Sequence, residues 1–146
     1  MEEGKMSELQ PRTFYFRKLV RDRTVPEYQQ DSSVVGMSHK KLFGVSLVHE
    51  LIAKIHEEAD EVPVVENPNE AELREIIAEI ADLEDVIAAL KSYYGVTDTM
   101  TADASAAKAT KRGTFEQGDY IESITVMPHS QWERYCLADP NKYPEG

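Results

Sequence analysis

The chain has 146 residues, enough for one domain with a core of its own and few for two. Its 16 Lys plus Arg stand against 27 Asp plus Glu, and the net charge of -11 excludes a sequence-independent grip on a nucleic-acid polymer. A single cysteine, Cys136, excludes an internal disulfide, no apolar run is long enough for a transmembrane helix, and the acidic start does not read as a signal peptide. A soluble, cytoplasmic protein with no membrane partner is expected.

Residues 1–12 carry no periodic apolar pattern and are expected to form a flexible leader. Phe14, Phe16, Leu19 and Val20 then supply a first apolar anchor. The run Arg17-Lys18-Leu19-Val20-Arg21-Asp22-Arg23 places four cations within seven residues of an acidic protein. Such a reversal of sign either balances the acidic helices as a solvated turn or meets an anionic ligand. Pro26 predicts a short helix or turn through about Gln30.

Val45, Val48, Ile52, Ile55, Ala59 and Val62 recur at alternating steps of three and four, the pattern of an amphipathic helix. The helix is predicted from Lys40 or Ser46 to Val62, with Ser46 as a candidate N-cap, and it stops before Pro63. After a short link over 63–69, Asn69 caps a second helix whose Leu73, Ile76, Ile77, Ile80, Leu83, Ile87 and Leu90 continue to Gly95. At about 26 residues it would be nearly 40 Å long. Its broad apolar band, with Ala78, Ala81, Ala88 and Ala89 thinning the other face, predicts more than one helical neighbour, as in a bundle or a dimer. The same wheel places Glu84 inside that band, where an unpaired carboxylate would be costly. A third helix, rich in alanine, is predicted from Asp98 or Thr101 to Arg112, ending at Gly113. Tyr120 to Val126 alternates apolar and polar and predicts an extended segment, before Pro128, Pro140 and Pro144 break regularity.

Two acidic pairs share one helical spacing: Glu58 with Glu61, and Glu79 with Asp82. Residues three apart lie on one helix face, about 5 to 6 Å apart at Cβ, so each pair can aim two carboxylates at one point. Both pairs border the apolar stripe of their helix, so antiparallel packing would bring four carboxylates together. Four such groups stay ionised only around a cation, and all-oxygen ligation selects Mg²⁺ or Mn²⁺. A solvated acidic face is the competing account of any one pair, because these helices also carry Glu57, Asp60, Glu70, Glu72, Glu75 and Asp85. His49 and His56 begin no H-E-x-x-H sequence, and the chain has no glycine-rich phosphate loop, so any phosphate grip falls to metal and side chains.

The pattern E-E-x-x-E at Glu57 to Glu61 followed by E-x-x-D at Glu79 to Asp82 resembles the MazG-like all-α nucleoside triphosphate pyrophosphatases, with the phosphoribosyl-ATP pyrophosphohydrolase branch nearest. Lys18-Leu19-Val20-Arg21-Asp22-Arg23 is similar to the K-L-V-R-D-[KR] run of one group of these proteins, and Lys111-Arg112-Gly113-x-Phe115 follows the third helix as theirs does. Val25-Pro26-Glu27 comes one residue later than the I-P-E of that group. The resemblance implies an all-α antiparallel helical bundle over 13–118, completed by oligomerisation as a homodimer or dimer of dimers, with an irregular C-terminal extension over 119–146. It implies Mg²⁺, or Mn²⁺, held by Glu58, Glu61, Glu79 and Asp82, and hydrolysis of a nucleoside triphosphate to the monophosphate and pyrophosphate. Glu57 would orient or deprotonate the attacking water. Lys18, Arg21, Arg23, Lys108, Lys111 and Arg112 would clamp phosphates, and Tyr93, Tyr94 and Phe115 are candidates for base stacking or for plain packing. Trp132, Tyr135 and Tyr143 of the extension are expected to cover the bundle or a partner subunit. Two other functions compete: a non-catalytic helical dimer serving as an acidic interaction module, and phosphoribosyl-ATP hydrolysis.

Overall fold

A computed structural model describes residues 9–146, and all regular structure among them is helical. The elements are α1 (Thr24–Gln30), α2 (Gly44–Asp60), α3 (Glu70–Tyr94), α4 (Asp98–Arg112) and α5 (Gln131–Leu137). The first eight residues of the expected leader lie outside the described ones, and residues 9–12 are exposed and non-helical. The chain divides into two compact units, Met1–Thr101 and Ala102–Gly146, with the boundary inside α4.

In the first unit α2 and α3 pack against each other. Helix α2 begins two residues before Ser46, so the expected N-cap is displaced. Phe43 takes that position in extended backbone and offers no side-chain acceptor. The helix ends at Asp60, short of Pro63, with the Glu61 N–H donating to the carbonyls of Glu58 and Ala59. Helix α3 has the ends its sequence predicts. Asn69 accepts from the Glu72 N–H at 2.8 Å while the Glu72 carboxylate accepts from the Asn69 N–H at 3.2 Å, a complete capping box. At the far end Gly95 adopts φ 66°, the left-handed geometry that closes a helix at little cost for glycine. Lys91 then ties the end of α3 to Asp98 and Thr101 at the start of α4.

The apolar stripes are largely uncovered. Among the described residues Leu51 is the only buried apolar side chain, at 6 % exposure, while Ile52, Leu73, Ile77, Ile80 and Ile87 remain open. Glu84 lies on the exposed side of α3, so the burial cost expected for it does not arise in this chain.

The second unit holds the end of α4, an irregular run and α5. The run Tyr120 to Val126 is non-helical and pairs with no strand among the described residues. Helix α5 has no counterpart among the expected elements, although its signal is present. Ser130 accepts from the Glu133 N–H at 3.2 Å and Glu133 reaches back to the His129 N–H at 3.1 Å, the S-x-x-E pattern of a helix start. Within this unit Tyr135 packs against Trp132 at 5.6 Å and Tyr143 at 5.4 Å between ring centres, although Trp132 and Tyr135 stay exposed.

Candidate metal centre

The end of α2 and the middle of α3 bring three of the four predicted ligands together. Carboxylate oxygens of Glu58, Glu61 and Glu79 all lie within 4.8 Å of one another. Each helix contributes by its own periodicity, since Glu58 lies on the last turn of α2, Glu61 three residues on is its C-cap, and Glu79 faces them from α3.

Glu58 is 6 % exposed, the only buried charged residue among those described. Its Oε2 and the Oε2 of Glu79 are buried without a hydrogen-bond partner. Orphaned carboxylate oxygens are costly, and native structures seldom keep them without a ligand or ion. Glu79 feels this most: burial, followed by the adjoining Glu58 and Glu61 carboxyls, pushes its pKa from 4.5 up to about 7. Converging hard oxygens with unused lone pairs fit Mg²⁺ or Mn²⁺, and Glu58, Glu61 and Glu79 are the residues that could hold the ion.

The fourth predicted ligand, Asp82, is engaged elsewhere. Arg21 Nη2 donates to Asp82 Oδ1 at 2.6 Å and to Asp85 Oδ2 at 2.9 Å, bridging the next turn of α3. The bonds to Asp85 and then Asp82 raise the Arg21 pKa further, so the guanidinium keeps its charge. Lys18, from the same basic run, donates to Glu57 Oε1 at 3.2 Å, and Lys54 of α2 reaches the other Glu57 oxygen at 3.3 Å. Burial works to raise the Glu57 pKa, but the bonds from Lys18 and Lys54 outweigh it and hold the carboxyl below its usual range. A carboxylate with two ammonium partners is a weak base and better suited to orienting a water than to deprotonating it.

The basic run therefore straps the two helices across their acidic border. Arg17, at φ 50°, turns the chain just before Lys18. An open cleft of about 430 Å³ lies between this strap and α2, lined by Tyr15, Phe16, Arg17, Lys18 and Glu57. Lys18 also stands 5.8 Å from the Phe16 ring, which packs edge-on against Tyr28. Arg23 occupies the N-cap of α1, exposed, and makes no ion pair with the cluster among the described residues. Tyr93 and Tyr94 pack edge-on against each other at 5.0 Å, on the last turn of α3 and away from Glu79 in sequence by four turns. Lys108, Lys111 and Arg112 are exposed on α4 in the second unit, as is Phe115 beyond it.

Four participants carry sequence signals that the spacing of the acidic pairs does not reveal. Lys54 precedes Glu57 and Glu58 by three and four residues, a readable helical ion-pair spacing. Asp85 extends the Asp82 pair by one further turn. Phe16 and Tyr15 flank the cations of the strap, as an aromatic and basic cleft would require.

Comparison with known protein families, with curated proteins and with solved structures gives no match. No helix among the described residues is long and apolar enough to cross a membrane.

Proposed function

We propose that this chain is a Mg²⁺-dependent nucleotide pyrophosphohydrolase of the MazG-like all-α kind, cleaving a nucleoside triphosphate to the monophosphate and pyrophosphate. The observation that carries the reading is the convergence of Glu58, Glu61 and Glu79 from two helices, with two buried oxygens left without partners. When bound, the ion would neutralise phosphate oxygens and lower the pKa of a water for in-line attack. Glu57, held by Lys18 and Lys54, orients that water. Lys18 and Arg21 already reach across the acidic border, and a triphosphate would offer them the same kind of anionic acceptor as Glu57 and Asp82 do. Asp82, now bonded to Arg21, would be free to serve as a fourth ligand if Arg21 bonded to phosphate instead. The cleft beside Phe16 and Tyr15 suits the remainder of the nucleotide.

The same reading includes a homodimer or dimer of dimers. Ile52, Leu73, Ile77, Ile80 and Ile87 form open apolar surface on the packed helices, and a second copy of that surface is its natural cover. That uncovered face also favours the second reading, a non-catalytic acidic interaction module whose partner is a different protein.

Standard and modified nucleoside triphosphates, with phosphoribosyl-ATP among them, incubated with Mg²⁺ and assayed separately for pyrophosphate and orthophosphate, distinguish these. Pyrophosphate release is expected. Orthophosphate alone contradicts cleavage between the α and β phosphates, and no release from any substrate transfers the weight to the interaction module.

A further inference from the structure

The two oxygens of the Glu58 carboxylate have different fates. Oε1 pairs with Lys54 Nζ at 3.1 Å, whereas Oε2 is buried and has no partner. Lys54 lies one turn earlier on the same helix, and its ammonium also reaches Glu57 Oε2 at 3.3 Å. Both sides of the pair are shielded, with side-chain exposures of 18 % for Lys54 and 7 % for Glu58. A lysine held by two acceptors on its own helix has little rotational freedom left, so it acts as a fixed point. Fixing one oxygen of a planar carboxylate fixes the direction of the other.

We propose that Lys54 is a positioning residue of the metal centre: by holding Glu58 Oε1 it commits Oε2 to the point shared with Glu61 and Glu79. This rests on the metal reading given above. Charge alone makes the opposite demand. An ammonium beside a divalent-cation site repels the ion, so a lysine present only as a charge would tighten binding when removed. A lysine that orients a ligand loosens binding when removed, as partners of metal ligands generally do. The sign of the change therefore separates the two roles.

The experiment measures Mn²⁺ affinity of the full chain, from the electron paramagnetic resonance signal of the free ion, for wild type, Lys54→Met and Lys54→Arg. Helix content is followed in parallel by circular dichroism. Lys54→Met is expected to weaken Mn²⁺ binding by about 10-fold or more, and Lys54→Arg, which keeps a donor, to remain within about threefold of wild type. A Met variant that binds as tightly as wild type or tighter overturns the proposal, as does an Arg variant as weak as the Met one. If Lys54→Met loses helix, Lys54→Gln is judged by the same criterion. Wild type that binds no Mn²⁺ removes the metal reading itself, and that failure is visible before any variant is compared.

Discussion

The two sides of the α2–α3 pair treat burial in opposite ways. At the acidic border the chain buries a carboxylate, Glu58, and surrounds the border with cations from its own sequence: Lys54, Lys18 and Arg21. On the apolar side it leaves isoleucines open, with Ile77 at 58 % exposure, and none of the described residues of the first unit covers them. A buried charge without compensation costs several kcal/mol, which is why its partners must be local. Exposed apolar area costs about 25 cal/mol per Å², a cost that a second molecule can relieve later. The difference teaches that the polar centre is assembled within one chain, whereas the apolar faces of the two helices are left open in it.

The sharpest way to break this contrast is to neutralise the centre. Glu58→Gln with Glu79→Gln removes two of the three converging carboxylates, and Mn²⁺ affinity and pyrophosphate release should both fall by about 100-fold or more. Calorimetry and the product assay read the two separately, and unchanged metal affinity would mean that the cluster is only a crowded acidic surface. Ile77→Glu with Ile87→Glu attacks the other side. Sedimentation should show the proposed dimer dissociating to monomer, and an unaltered mass would mean that this face is not its contact.

A subtler effect is expected at the strap. Arg21 occupies Asp82 without being buried, its side chain being 65 % exposed, so its bond is readily exchanged. Arg21→Ala should tighten Mn²⁺ binding by about threefold, because a competitor for Asp82 is gone, while raising the KM for nucleotide. Weaker Mn²⁺ binding in this variant would assign Arg21 a supporting role like that of Lys54.

The smallest effect concerns pH. Glu79, raised from 4.5 to about 7 by burial and its acidic neighbours, holds more proton in the folded than in the unfolded chain between those values. Its stabilising contribution is complete below about 4.5 and is lost as pH rises through about 7. Urea midpoints of the chelator-treated protein should therefore decline across this window, and Glu79→Gln should flatten the decline. A midpoint that rises instead would show that the Glu79 carboxyl is not crowded by Glu58 and Glu61.

Helices α2, α3 and α4 were legible because their signals are local. Steps of three and four from Val45 to Val62 specify a helix face, and Asn69 with Glu72 and Gly95 specify where α3 begins and ends. The start of α2 was not legible, because Phe43 begins it without a capping side chain and the serine at 46 supplies a false signal. Helix α5 was legible in Ser130 and Glu133 but easily passed over between two prolines.

The sequence by itself determined which carboxylates share a helix face: Glu58 with Glu61, and Glu79 with Asp82, because a 3.6-residue repeat ties spacing to direction. Only the tertiary structure decided which of these faces meet. The packing of α2 on α3 brings Glu79 to Glu58 and Glu61, and gives Asp82 to Arg21 from 61 residues away, while Lys54 holds Oε1 of Glu58 and leaves Oε2 without a partner. Helical periodicity fixes angles about one axis, while the offset between two axes depends on side-chain packing along both, which no single helix encodes.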